Sequence, residues 1–381
     1  MTTSRNGNDL IIIGGGVIGL SIAREVQALG LDPVVLDRRR AGRGASWAAA
    51  GMLSPLGEAM EPGPFLELGL SSLARWPGYA AELEKETGIP IEFRECGKIR
   101  IATSQSEEDR LMNRLRWAHE RGFPARWLSP TELAEFEPEL RRDVRGGLLL
   151  EEDYRVDNRA LGHALLASVR QRGIPVEEGS GVTRLVLKED RCTAVELDDG
   201  TILPAQSVVL AAGAWSGAVE GLPDPVPVRP IRGEMAALHP RFSLEGRVLE
   251  SEGIYLVPRD DGRVLLGATE DEVDFAPGPT AGGLTAILNA ALALVPSLRN
   301  APVSEIWCGY RPGSPDGMPI LGRHPQVQGL YLATGHYRNG ILLTPATGMG
   351  MATLLTGEEN PFPREFNPDR FQFSSTHPRQ T

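Results

Sequence analysis

The sequence predicts an α/β protein, α+β taken whole, with two domains. One is built on a parallel sheet with a glycine-rich turn, and the other is richer in short strands. The length of 381 residues corresponds to about two domains of ordinary size. The first hundred residues hold an apolar strand, a glycine turn, a helix and a second apolar strand in succession. The stretch 226–307 holds short strands at 229–238, 253–258 and 263–268 and one apolar helix at 283–295.

The first unit begins with Leu10 to Ile13 and passes through Gly14-Gly15-Gly16-Val17-Ile18-Gly19. A helical pattern carried by Ala23, Val26 and Leu29 follows, then the strand Pro33 to Asp37. Gly-x-Gly-x-x-Gly alone says little in a chain with 44 glycines; the strand before it and the helix after it give it meaning. Gly14 permits the tight turn, Gly16 lets backbone approach a pyrophosphate, and Gly19 lets the helix pack closely on the strand. The helix N-terminus then offers unpaired N–H groups to the phosphates. Asp37 stands where an acidic side chain accepts hydrogen bonds from a ribose diol. Arg38, Arg39 and Arg40 follow, and arginine there alternatively suits a 2′-phosphate or a solvated loop. Strand, glycines, helix and acid together favour an adenine dinucleotide.

Downstream, Gly42 to Met52 is a run of small residues against which a flat ligand can lie, or else the start of an alanine-rich helix. Periodicity predicts helices at 65–86, 107–121 and 157–173 and strands at 181–187, 193–197 and 207–210. The last strand runs into Ala211-Ala-Gly-Ala-Trp215, a second small-residue turn. Strand and glycine turn recur at 330–335, before a helix that starts near Gly340 and runs to Leu355. The polar tail from Asn367 is expected to be loose.

Composition narrows the function classes. With 41% hydrophobic and 23% charged residues the chain is an ordinary globular one, and a net charge of -11 argues against nucleic acid as a partner. Cys96, Cys192 and Cys308 are few and far apart, without a CxxC, which predicts a reducing compartment and no disulfide framework. Leu10 to Ile13 is too short for a signal-peptide core or a membrane span, so a cytoplasmic protein is expected. The six histidines show no ligand spacing, and no metal is expected.

Blocks at 13–19, 48–53, 208–216, 255–259, 267–269, 309–317, 320–325 and 335–346 resemble the FAD-dependent amine oxidases of the D-amino-acid oxidase and sarcosine oxidase group, and within it the glycine oxidases. They run in order along nearly the whole chain. The resemblance implies a Rossmann-type FAD-binding domain assembled from 1–92, 147–225 and 313–381, and a second, antiparallel-sheet substrate-binding domain from 93–146 and 226–312. It puts Gly14, Gly16, Val17, Ile18 and Gly19 at the pyrophosphate, Asp37 and Arg38 at the adenosine, and the Val182 backbone beside the adenine. Ala45, Ser46, Ala50, Gly51 and Met52 would line the flavin, and His336, Tyr337, Arg338, Asn339, Gly340, Ile341 and Leu342 would hold the pyrimidine end of its ring. A helix N-terminus at 340–342 would there meet the negative charge that reduced flavin carries near N1 and O2.

An amino-acid carboxylate needs a planar two-pronged cation. Arg311, in Gly-Tyr-Arg-Pro-Gly, matches the family's carboxylate-binding arginine; the plain alternative is a surface arginine beside Asp316. Tyr255 matches the family's active-site tyrosine, or is a buried sheet tyrosine. Arg338 matches a further substrate-side arginine, or serves the flavin or a structural carboxylate. No acid–base pair is evident, and none is required if the neutral amine gives a hydride from its α-carbon to flavin N5.

The resemblance thus implies oxidative deamination of glycine, sarcosine or D-alanine to 2-oxo acid, ammonia and hydrogen peroxide, for thiamine thiazole synthesis, in a homo-oligomer, tetramer or dimer. The only lysines, Lys85, Lys98 and Lys188, lie outside the flavin blocks, which argues against oxygen activation by lysine. Cys308 stands near the position at which sarcosine oxidases attach flavin but reads as a small buried hydrophobe, so the FAD is expected to be noncovalent. Glu270 occupies a position where glycine oxidases tend to carry an apolar pocket residue, which marks an altered preference for substrate size or charge. Rival readings are a quinone-linked dehydrogenase and a non-catalytic flavin-binding subunit; the latter needs no carboxylate clamp.

Overall fold

The computed structural model describes residues 8–59, 61–371 and 373. The strand Asn8–Ile13 lies inside a parallel array, between Ile202–Leu210 and Pro33–Asp37. Leu330–Thr334 continues the array on one side and Val176–Glu178 on the other. Ile320–Arg323 closes one edge antiparallel, and Val182–Lys188 with Arg191–Leu197 forms an antiparallel extension. Leu10 and Ile12 enter one core and Ile11 and Ile13 the other. Successive side chains point to opposite faces of a strand, so an unbroken apolar run is what a sheet covered on both faces requires. The helices Val17–Ala28, Asn158–Gln171 and Thr344–Leu355 fill the first of these cores.

The second sheet has the order Val303–Gly313, Arg229–Leu238, Val264–Gly267, Ile254–Pro258, Val248–Ser251, Lys98–Ala102, Gly146–Leu150, Ala125–Leu128. Its pairings are antiparallel except one: Val248–Ser251 runs parallel to Lys98–Ala102. Gly146–Leu150, buried at all five positions, lies wholly in this sheet and crosses the expected boundary at 146/147. One face packs under the helix Ala281–Leu294 through Ile287, Ala291 and Leu294. The other face looks toward the first sheet.

The expected helices form with small shifts, at Pro64–Thr87, Gln105–Glu120 and Asn158–Gln171. Ser104 and Glu107 form a reciprocal capping box that starts the second of them. The C-terminal helix differs: it begins at Thr344 rather than at 340–342. Pro345 has no N–H to give to Ile341 O, and Thr344 takes that carbonyl at 3.2 Å instead. Gly340 to Leu343 therefore form a separate turn before the helix.

The start of the tail departs from expectation, since Pro368 is buried and Arg370 pairs with Asp316 at 2.7 Å. Residue 372 and residues 374–381 lie outside the described residues. Among the described residues, no helix is long and apolar enough to cross a membrane, and no group of three metal-ligating side chains gathers.

Candidate active site

A cavity of about 690 Å³ opens between the C-terminal ends of the parallel strands and the inner face of the second sheet. Ligands of open α/β sheets sit at such strand ends.

At one end lies the first glycine turn. Asp37 accepts the Gly15 N–H through Oδ2 and the Arg39 N–H through Oδ1, each at 2.8 Å. Burial raises the Asp37 pKa, and those two N–H groups oppose the shift. Ser46 Oγ accepts the Val17 N–H at 3.1 Å. The N–H groups of Gly16 and Ile18 meet no acceptor among the described residues. Gly14 and Gly19 serve close approach: a Cβ would meet Ala211 O at 2.4 Å on the first and Gly14 O at 1.9 Å on the second.

The small-residue run passes along the floor. Ala45–Ala48 is a single helical turn, held by Asn158 Nδ2 on Ser46 O and Trp47 O at 2.8 and 3.0 Å. Trp307 Nε1 donates to Ala48 O at 3.0 Å and Arg259 to Ala50 O at 2.8 Å. A Cβ on Gly309 would stand 2.3 Å from Ala48 Cβ, so only glycine lets the second sheet come down on this run.

The opposite end is formed by the 336–343 turn. Ser72 Oγ and Trp76 Nε1, one helical turn apart, both donate to Leu342 O, at 2.7 and 2.9 Å. The N–H groups of Gly340, Ile341 and Leu342 meet no acceptor among the described residues. His336 is buried against Thr347, and burial pushes its pKa down to about 3, so the ring is neutral.

Over this end stands a row of side chains from three strands. Met235 pairs in register with Gly267, and Gly267 with Tyr255. Tyr255 donates to Met235 Sδ at 3.2 Å; burial raises its pKa, against the pull of Arg311 and Arg338. Arg311 lies one pleat along, its guanidinium folded over Gly233 and held by Thr269 O at 3.1 Å and Arg232 O at 3.4 Å. Arg338 pairs with Glu58 at 3.1 Å and approaches Glu270 at 3.7 Å. Tyr337 also donates to Glu270, and burial with that carboxylate pushes its hydroxyl up to about 12.

A model of the DAO family, described as FAD dependent oxidoreductase, matches residues 9–354. The chain belongs to the DAO family of FAD-dependent oxidoreductases. It is 36% identical over 359 residues to the glycine oxidase of Geobacillus kaustophilus (strain HTA426), covering 93% of this chain and 94% of that one. It is 38% identical over 380 residues to the bifunctional protein ThiO/ThiG of Synechocystis sp., covering 97% of this chain. The chain spans about half the length of that relative, 55%. The crystal structure of glycine oxidase from Geobacillus kaustophilus superimposes with a TM-score of 0.90 at 34% identity, covering 96% of this chain and 99% of that one.

The cavity of this DAO-family chain fits FAD on its own geometry. It is elongated between two turns, each presenting unpaired backbone N–H groups, and its floor is kept low by glycine and alanine. Of the residues expected from sequence, all line it except two. Gly19 is taken up by helix packing against Gly14, and the Leu342 side chain points into the core while its carbonyl is held by Trp76. The DAO-family cavity also has walls that sequence reasoning missed: Gly233, Met235, Ser54, Glu58, Arg100, Arg114 and Glu250. These come from separate segments that only the sheet order brings together. The one available signal was Glu58, six residues beyond the small-residue run.

Proposed function

We propose that this chain oxidises glycine and small related amines, with Arg311 and Tyr255 binding the substrate carboxylate. The observation that carries this is the Arg311 guanidinium lying on Gly233, beside the Tyr255 hydroxyl, in the same cavity as the two N–H-presenting turns. A fixed planar guanidinium binds a carboxylate through two parallel bonds, which orients the α-carbon.

FAD, held by the two N–H-presenting turns, would supply a two-electron acceptor for the α-carbon hydride, with dioxygen as the final acceptor that gives hydrogen peroxide. The protein contributes position and charge. Arg311 neutralises the carboxylate, Tyr255 adds a hydroxyl donor, and Arg338 is held ready by Glu58. The N–H groups of Gly340 and Ile341 stabilise negative charge on the ring's pyrimidine end. Gly14, Gly16, Val17 and Ile18 serve the pyrophosphate, Asp37 and Arg38 the adenosine, and Val182 the adenine side. Ala45, Ser46, Ala50, Gly51 and Met52 line the flavin.

The imine product hydrolyses to 2-oxo acid and ammonia, or serves thiazole assembly for thiamine, a role supported by the similarity to ThiO/ThiG. We further propose noncovalent FAD, a cytoplasmic location, a homo-oligomer and the discontinuous two-domain division described above with the strand Gly146–Leu150 kept whole in the substrate-binding domain, all supported by the family resemblance. The test is product analysis in air: glycine should give equal amounts of peroxide and ammonia. Absence of peroxide with glycine, sarcosine and D-alanine alike would reject the reading.

A further inference from the structure

Behind the cavity wall at Ser54 and Glu250 lies a closed group of charges that the carboxylate clamp does not use. Lys98 and Asp153 are each 1% exposed. Ser54 Oγ donates to Asp153 Oδ2 and accepts from Lys98 Nζ at 3.3 Å. Lys98 in turn pairs with Glu250, which also holds Arg100 at 3.0 Å. Ser54 and Glu250 line the cavity; Lys98 and Asp153 do not. The Ser54 hydroxyl is thus the link between the cavity and a buried carboxylate.

Two features set this group apart from an ordinary buried ion pair. Asp153 Oδ1 is fully buried without a hydrogen-bond partner among the described residues, although buried carboxylate oxygens are ordinarily satisfied. Gly57 keeps the link clear, since a Cβ there would stand 2.1 Å from Ser54 Oγ and 2.9 Å from Lys98 Nζ. Burial pushes Asp153 up to about 7, with Lys98 and Ser54 lowering it and Glu250 and Glu58 raising it. Arg114, Cys96 and Tyr154 also face it electrostatically. A carboxyl so balanced changes its proton occupancy readily near neutral pH.

We propose that Ser54 and Asp153 take up the proton that the substrate's ammonium group sheds before oxidation, a proposal that rests on the amine-oxidase reading above. The ammonium N–H bond breaks and leaves its electron pair on nitrogen. Ser54 Oγ takes the proton on its free lone pair while giving its own to Asp153 Oδ2, and nothing is oxidised or reduced in this step. The neutral amine now carries the lone pair that departure of a hydride from the α-carbon requires. Lys98 acts as a positioning residue, holding Ser54 and Glu250 together.

The experiment is stopped-flow reduction of the FAD-loaded protein without air, from pH 6 to pH 10, with whichever of glycine, sarcosine and D-alanine reduces the wild type fastest. Asp153→Asn and Ser54→Ala are each expected to lose about 10²-fold in reduction rate near pH 7. Both should recover above the pKa of the substrate's own ammonium, where no acceptor is needed; a structural defect would not recover. The infrared carboxylic-acid signal that appears on acidification through neutral pH should be smaller in Asp153→Asn by the contribution of one carboxyl, Glu137 supplying the rest. If Asp153→Asn does not fold, Ser54→Ala decides alone. A wild-type pH profile in the variants, or a loss uniform across pH, would overturn the proposal. Failure of all three amines to reduce the wild type would instead overturn the amine-oxidase reading, and this proposal with it.

Discussion

The guanidinium of Arg311 lies on the α-carbon of Gly233, so closely that a Cβ there would stand 2.4 Å from Nη1. The two belong to neighbouring antiparallel strands, Gly233 opposite Gly309 and Arg311 opposite Ile231. Because Gly233 has no side chain, Arg311 can fold back along the sheet over the cavity rather than stand away from it.

Gly233→Ala should therefore displace Arg311 without touching the FAD end of the cavity. Glycolate and acetate, which present the same carboxylate as the substrate, should bind about tenfold more weakly, a cost of roughly 1.4 kcal/mol. Arg311→Ala should lose more, about 2–5 kcal/mol, with FAD retained in both. Inhibitor titration of the flavin spectrum measures this, and unchanged affinity in Arg311→Ala would remove it from the clamp.

Trp76 and Ser72 both hold the Leu342 carbonyl, which aims the free N–H groups of that turn into the cavity. Trp76→Phe should destabilise the chain by about 1–3 kcal/mol, the loss of one of the two hydrogen bonds to that carbonyl together with the cavity left by the indole. It should also weaken FAD binding and shift the flavin absorption. Denaturant unfolding and FAD titration check the two effects; a loss of stability with an unchanged spectrum would limit Trp76 to the core.

Cys308 pairs in register with Glu234 and does not line the cavity, whereas its neighbours Gly309 and Tyr310 do. Acid precipitation should leave all the yellow colour in the supernatant. Colour kept in the pellet would mean a covalent bond to flavin.

Glu137 is buried with Oε1 unpartnered among the described residues, and the Glu245 N–H reaches its other oxygen at 3.2 Å. Burial pushes its pKa up to about 7, against the Glu245 N–H and Arg247. A raised carboxyl pKa means that the folded chain holds the proton more tightly than the unfolded one. Its stabilising effect is complete below the unfolded value of 4.5 and is lost as pH rises through about 7. Glu137→Gln keeps an acceptor and removes the charge, so it should raise Tm at pH 8 by roughly 2–4 °C and by less at pH 5. Equal effects at both pH values in thermal melts would contradict this.

The dinucleotide end of the site was legible because it is local: strand, glycines, helix and Asp37 lie within thirty consecutive positions and each has its own spacing rule. Arg311 and Tyr255, the residues of the proposed clamp, were legible because they sit in recognisable blocks, and both line the cavity. Gly233 and Ser54 gave no signal, since their importance lies in what a neighbouring strand or turn sets against them. Lys98 lies outside the flavin blocks and does not line the cavity; the parallel pairing of 248–251 with 98–102 brings it behind the cavity wall, beside Glu250. The helix start slipped from 340 to Thr344 because one missing N–H at Pro345 outweighs the apolar periodicity before it.

The most direct test is to mix the purified yellow protein with glycine, sarcosine and D-alanine in the absence of air, and then to admit air. Bleaching by at least one of these amines, followed by rapid return of the oxidised spectrum, is the predicted result, and it ranks the substrates. Bleaching that air does not reverse would contradict dioxygen as the acceptor and favour a quinone-linked dehydrogenase. No bleaching by any of the three would contradict the assignment of Arg311 and Tyr255 to a small amino-acid carboxylate.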